Sequence, residues 1–138
     1  MQSAGIYEVA LTTKGRNALK VMIDLAQHAD GGYVSLADIA ERQKESLKYL
    51  ETSAAQLSAA GFVVSARGKS GGYRLTKSAE EYTVAEILTA GEGSLAPVSC
   101  LISGCENAGT WMTLPLFKEL DEVIMNFLTS KTLKDLIK

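Results

Sequence analysis

The chain has 138 residues, 46% of them hydrophobic and 22% charged, with a formal net charge of −2; this suits one compact domain with its own core plus an appended element, and no apolar run is long enough to span a bilayer. Two cysteines and the lack of a basic-then-apolar pattern in MQSAGIYEVA argue against a disulfide-stapled secreted fold, so the expected compartment is the cytoplasm, with no membrane partner and with thiols that are reduced, redox-active or metal-bound. A negative total disfavours a nucleic-acid partner, but the charge is polarised: residues 11–77 hold ten Lys or Arg against six Asp or Glu, and residues 78–138 hold four against nine. The first half is where a polyanion would be met.

In chain order, residues 1–10 read as an N-terminal extension. The first helix is predicted over Thr13 to Ala29, with Ala18, Leu19, Met22, Ile23, Leu25 and Ala26 on one broad apolar face. Lys14, Arg16 and Lys20 gather near its start, where cations are mildly unfavourable for the helix dipole. Contact with a phosphate backbone is one reason to put them there; a solubilising face is the other. His28, the single histidine, stands where it can meet the helix C-terminal dipole or simply be solvated. Asp30-Gly-Gly-Tyr33 leads into a second helix that opens at Ser35, with Asp38 placed to complete a capping box and Leu36, Ile39 and Ala40 at helical spacing.

A third helix starts at Ser46. Leu47, Leu50, Ala54 and Leu57 recur at three- and four-residue steps until Gly61, the expected left-handed stop. Its other face carries Lys48, Tyr49, Glu51, Thr52 and Gln56, the donors and acceptors that reading base edges in a major groove requires. Phe62-Val63-Val64 and Tyr73-Arg74-Leu75 then form the arms of a β-hairpin, with Arg67-Gly-Lys-Ser-Gly-Gly as its tip. Arg67, Lys69, Ser70 and Gly71 at that tip suit phosphates or a narrow minor groove; a merely solvated hairpin is the bland alternative. Residues 11–90 thus read as a winged helix-turn-helix, mostly α with a small β-hairpin wing.

Thr83 to Ala90 is predicted as a short helix with Val84, Ile87 and Leu88 facing inward and Gly91 ending it. Residues 91–112, rich in Gly, Ser, Ala and Asn, read as a flexible loop that contains both Cys100 and Cys105. Residues 113–138 supply a long helix over Thr113 to Thr129 and a tail. Leu116, Leu120, Val123, Ile124, Phe127 and Leu128 step along one side of that helix as an apolar stripe in want of a partner.

LTTKGRNAL from Leu11, VSLADIAERQ from Val34, SLKYLE from Ser46, AGFV followed by RGKSGGYRL, YTVAEIL from Tyr82 and TLKDL from Thr132 run in the order found in the Rrf2 family of bacterial winged-helix regulators, which the chain resembles over nearly its whole length. The resemblance implies a twofold homodimer through the long helix, each subunit reading one half-site of a near-palindromic duplex operator, with half-sites about one DNA turn or a multiple apart. On the third helix Glu51 would accept from a cytosine amino group, Tyr49 would pack on the sugar-phosphate backbone, and Lys48 and Thr52 would flank them; Arg67 would reach phosphate or minor groove.

Cluster-binding relatives carry three cysteines between the wing domain and the long helix. Cys100 and Cys105 fit the first two positions, but Trp111 stands at the third and Leu114 about where one relative has a ligating histidine. A two-iron cluster normally takes four protein ligands, so a cluster here would need extra donors such as Glu92 or Glu106, and the expectation is no cofactor or an unknown one. The thiols could instead form a redox pair, bridge as a disulfide within the loop, or be inert. The third helix also ends in Gln56-Leu-Ser-Ala-Ala-Gly61, less basic than in many relatives, which implies a shallower salt dependence.

Two classes of function fit these residues. One is a dimeric sequence-specific DNA-binding regulator, a repressor by preference, answering an effector of unknown identity at the cysteine loop. The other is a winged-helix module that binds a protein; the wing tip with Arg67 and Lys69 favours the first. An enzyme is not expected, since no catalytic histidine arrangement, phosphate loop or acid pair is present.

Overall fold

A computed structural model describes residues 12–28, 32–68, 71–92 and 113–137. Helix α1 (Thr13–Gln27) is followed by α2 (Leu36–Gln43) and α3 (Leu47–Ala59), then strands β1 (Val63–Ala66) and β2 (Gly72–Leu75), a single 3-10 turn at Ala79–Glu81, and helices α4 (Val84–Glu92), α5 (Leu114–Thr129) and α6 (Leu133–Ile137). Helices α1, α2, α3 and α4 enclose a core of Ala18, Val21, Met22, Leu25, Ile39, Leu50, Ala54, Leu57 and Ile87, into which α6 inserts Leu133. Helices around a two-stranded hairpin match the mostly α, winged architecture expected from the sequence.

Local chemistry explains the element ends. Ser35 Oγ accepts from the Asp38 amide at 3.1 Å, the expected cap of α2. Helix α3 ends as the sequence requires: Gly61 has φ +81°, its amide donates to Ser58 O at 3.0 Å, and the Phe62 amide reaches Leu57 O at 2.9 Å, closing the last carbonyls in a Schellman arrangement. Between α2 and α3 the turn passes through Lys44 at φ 56°, a left-handed conformation that costs a non-glycine residue about 1–2 kcal/mol.

The wing is tied at its base from two sides. Val34 and Tyr73 exchange backbone hydrogen bonds of 2.8 Å each way, so the chain before α2 pairs with β2. That approach leaves no room for a side chain on Gly72, where a Cβ would stand 2.2 Å from Val34 O. From the other side, fully buried Tyr82 accepts through Oη from the amides of Thr76 at 3.0 Å and Lys77 at 2.9 Å and donates to Phe62 O at 2.9 Å. Its ring meets Phe62 edge-on at 5.5 Å.

The fourth helix departs from expectation. It runs through Gly91 to Glu92, because Gly91 is a packing contact with α1: a Cβ there would meet Ala18 Cβ at 2.9 Å and Gly15 Cα at 3.0 Å. Glu92, expected to open the loop, instead lies in the helix, and its carboxylate takes the Thr12 amide, the Thr12 hydroxyl at 2.7 Å and the Gly15 amide at 3.1 Å. An anion thereby caps the start of α1, the favourable end for negative charge. Residues 93–112, with Cys100, Cys105, Glu106 and Trp111, lie outside the described residues.

Candidate nucleic-acid interface

Helix α3 is split cleanly by burial. Leu50, Ser53, Ala54 and Leu57 point into the core, leaving Lys48, Tyr49, Glu51 and Thr52 exposed together on the opposite side. Tyr49 is 60% exposed, a large aromatic ring that burial alone does not account for. Gln56 departs from this set: it is half-buried and its Oε1 lacks a hydrogen-bond partner, so it does not extend the outward polar face.

The start of α1 adjoins that face. Thr13, Lys14 and Asn17 of α1 and Tyr49, Thr52 and Ser53 of α3 line a cavity of about 240 Å³ between the two helices. Lys14 and Arg16 are exposed, and Arg16 Nη2 donates to Thr13 Oγ1 at 3.3 Å. Lys20, grouped with them in sequence, is instead ion-paired with Glu45. Asn17 is the residue the sequence reading missed: its side chain is 2% exposed, and Oδ1 has no hydrogen-bond partner. The available signal was its place beside Ala18 and Val21 on the inward stripe.

The geometry of the helix-turn-helix is set by a second buried polar group on α1. Asp24 is 1% exposed and accepts from Arg42 Nε at 3.0 Å, Arg42 Nη2 at 2.7 Å and Gln43 Nε2 at 3.1 Å. His28 Nδ1 lies 3.4 Å from the same carboxylate and 2.9 Å from Asp24 O, a contact at the helix end. Burial pushes the Asp24 pKa up, but the hydrogen bonds from Arg42 and Gln43 and the neighbouring positive charge more than offset it, leaving the carboxyl below its ordinary value. This bidentate clamp joins α1 to α2.

In the wing, Arg67 is exposed at the base of the tip, the Gly71 amide donates to Gly68 O at 3.0 Å, and Lys69 and Ser70 lie outside the described residues. A further cation not singled out in sequence is placed by stacking: the Arg74 guanidinium sits 4.8 Å from the centroid of the Tyr33 ring.

The apolar stripe on α5 divides. Leu116, Leu120, Val123 and Phe127 are exposed at 62%, 40%, 63% and 59%, whereas Leu128 packs with Met125 against Val84 and Leu88 of α4 and Ile124 is half-buried. Four large side chains on one helix thus face solvent while their neighbours anchor it to the domain.

An iron-sulfur cluster would need donors beyond two thiolates. Glu92, a candidate non-thiolate donor, has both carboxylate oxygens engaged at the start of α1, and among the described residues no three His, Cys, Asp or Glu side chains are grouped to hold a metal. The sequence offers two thiolates against the four ligands a cluster normally takes. Among the described residues no donor set for a cluster is assembled, and Cys100, Cys105 and Glu106 lie outside them.

Among the described residues no helix is long and apolar enough to cross a membrane. Residues 11–138 match the family model for Rrf2, described as an iron-dependent transcriptional regulator. The HTH-type transcriptional regulator IscR of Serratia proteamaculans is 42% identical over 128 residues, covering 92% of this chain and 78% of that protein. Among solved structures, CymR, the global cysteine regulator of B. subtilis, superimposes with a TM-score of 0.70 at 36% identity, over 92% of this chain and 95% of that one. IscR of T. potens gives 0.74 at 37%, over 92% and 85%, and the oxidized form of Staphylococcus aureus CymR gives 0.74 at 32%, over 92% and 94%. These are regulators and not enzymes, in agreement with the sequence expectation. The chain belongs to the Rrf2 family of winged-helix, DNA-binding transcriptional regulators.

Proposed function

We propose that this regulator acts as a twofold homodimer on a near-palindromic operator, α3 entering the major groove with Lys48, Tyr49, Glu51 and Thr52 while Arg67 and the wing tip reach the flanking groove. The observation that carries this reading is the α3 face itself: four adjacent polar or aromatic side chains turned to solvent on a helix whose other side is locked into the core. Glu51 is the base reader, as a carboxylate can accept from the cytosine amino group, and Lys14 and Arg16 contact phosphates. The exposed Leu116, Leu120, Val123 and Phe127 form a self-complementary stripe, which a twofold pairing of α5 with its copy would bury.

Affinity answers a signal in residues 93–112. Support comes from Glu92, the residue immediately before that segment, whose carboxylate is bonded to the start of the helix bearing Lys14 and Arg16. A change in the thiols of Cys100 and Cys105 that pulled on Glu92 would reach α1 without crossing the core. CymR has been solved in an oxidized form, which favours thiol chemistry over a cluster as the signal.

The test is one anaerobic preparation. It should be a colourless dimer that retains duplex DNA selected from a random pool, with retention falling as salt rises. Stoichiometric iron and sulfide with a visible cluster band would overturn the thiol reading, and a monomer with full affinity would overturn the dimer.

A further inference from the structure

We propose that the cavity enclosed by the end of α1, the wing and the 3-10 turn is a binding site for a small carboxylate carried on an apolar body. No residue of α3 lines it, so it is separate from the face that meets the operator. Its volume is about 530 Å³, within the range of small-molecule sites, which combine apolar walls with a few placed polar groups. Leu25 of α1, Val34 before α2, Val64 and Leu75 of the wing and Ala79 of the turn supply the walls. Leu25 is buried and Val64 is 40% exposed, so the walls run from the core to the surface.

The polar groups of the lining suit an anion. They include Arg74, Lys77 and Ser78, and no Asp or Glu. Ser78 makes no side-chain bond at the start of the 3-10 turn, which keeps its hydroxyl as a donor. Both cations are held on aromatic rings: the Arg74 guanidinium lies 4.8 Å from the centroid of Tyr33 and Lys77 Nζ 4.9 Å from that of Tyr82. Ion pairs among the described residues use Lys20, His28, Arg42 and Lys134; Arg74 and Lys77 make none there, although Glu81 lines a neighbouring cleft with Lys77. A ring face balances a cation only in part, and the guanidinium fork is matched to a carboxylate.

The hairpin register joins the two halves of the ligand. Val64 pairs with Arg74, and residues directly opposite in a ladder share one face of the sheet. One cross-strand pair therefore meets both an apolar tail and its charged head. A free phosphate would satisfy the cations and leave the apolar walls without a partner. Because those walls come from α1, the wing and the turn, an occupant would pin the end of the first helix to the wing.

The experiment titrates the full-length protein, free of DNA, with hydrocinnamate, a phenyl ring on a short arm ending in a carboxylate, and follows backbone amides by NMR. Saturable shifts are expected at Leu25, Val34, Val64 and Ser78, with a Kd below about 1 mM. The neutral hydrocinnamyl alcohol and the tailless acetate should each bind at least about ten-fold more weakly. Arg74→Gln and Lys77→Gln should each weaken hydrocinnamate about ten-fold. Val64→Glu, which sets a carboxylate opposite Arg74 at an exposed strand position, should abolish binding while the melting temperature holds.

Equal affinity for the acid and the alcohol would overturn the anion site. So would shifts confined to Leu116, Leu120 and Val123 of α5, or no saturable shift up to about 10 mM. Displacement of hydrocinnamate by an equal concentration of inorganic phosphate would reassign the cations to phosphate and overturn the carboxylate. Unchanged hydrocinnamate binding in Arg74→Gln, with a DNA salt slope lower by about one, would give that cation to the operator and overturn the site. Ligand binding is read without DNA, so it stands or falls apart from the operator reading.

Discussion

Asn17 and Asp24 sit two turns apart on the inward side of α1, each almost fully buried, and they are treated in opposite ways. Asp24 receives three side-chain hydrogen bonds from α2; Asn17 Oδ1 receives none. Both are polar groups that folding removes from water, so both carry a desolvation cost. One cost is met inside the protein and fastens the helix-turn-helix together. The other is left unmet inside the protein, beside the cleft between α1 and α3. Two buried polar groups on one helix thus bear on stability in opposite ways, and the two can be perturbed separately.

The largest effect should come from breaking the satisfied end. Arg42→Ala leaves the Asp24 carboxylate buried with its main partner gone, which costs about 3 kcal/mol; we take the low end because the Arg42 side chain is itself 37% exposed. Urea unfolding with an unchanged m-value measures this, and a loss below about 1 kcal/mol would mean the clamp is only a surface ion pair. A hydroxyl at the wing base offers a parallel case: Tyr82→Phe strands the Lys77 amide and leaves the Thr76 amide only its 3.2 Å bond to Phe62 O, and should cost about 1–3 kcal/mol, with wing-dependent DNA affinity falling alongside.

Acid titration sharpens the contrast next. The folded-state pKa of Asp24 is depressed, so its contribution to stability is fully present above the unfolded-state value of about 3.9 and is lost as pH falls through the lower folded value. Asp24→Asn should flatten that acid limb, while Asn17→Ala should leave it in place. At neutral pH, Asn17→Ala should change stability by no more than about 0.5 kcal/mol or raise it, because an orphan carbonyl is removed; a loss of 2 kcal/mol or more, on the scale of a satisfied buried group, would erase the distinction between the two residues. Smallest of all, Lys44→Gly should gain about 0.5 kcal/mol, the relief of left-handed strain less the added freedom of the unfolded chain.

Features governed by neighbours along the chain were legible in sequence. The Ser35 cap, the Gly61 stop and the glycine-tipped hairpin depend on residues a few positions apart, and so does the burial split of α3. Gly91 was misread for the complementary reason: glycine near a helix end signals termination locally, whereas here its role is the close approach of α4 to α1, which no local pattern encodes. The Glu92 cap joins residues 80 apart in the chain and was equally hidden. Asn17 and Asp24 were passed over because an amphipathic stripe is read by its apolar members, although a polar residue inside such a stripe is itself the signal for a buried hydrogen-bonding site. Lys20 looked like a phosphate contact, but Glu45 meets it from the turn between α2 and α3.

The wing's attachment has one more implication. Its base is fixed by the Tyr82 hydroxyl and the Val34–Tyr73 pairing, all of it below Ala66 and Gly72, so the aim of the hairpin does not depend on what its tip contains. Within the tip the backbone reserves two places for glycine, Gly68 at φ +103° and Gly71, where a Cβ would stand 2.4 Å from Ala66 O, so a change of Arg67 would alter groove preference on an unchanged mount, letting one scaffold change its operator without relearning how to fold.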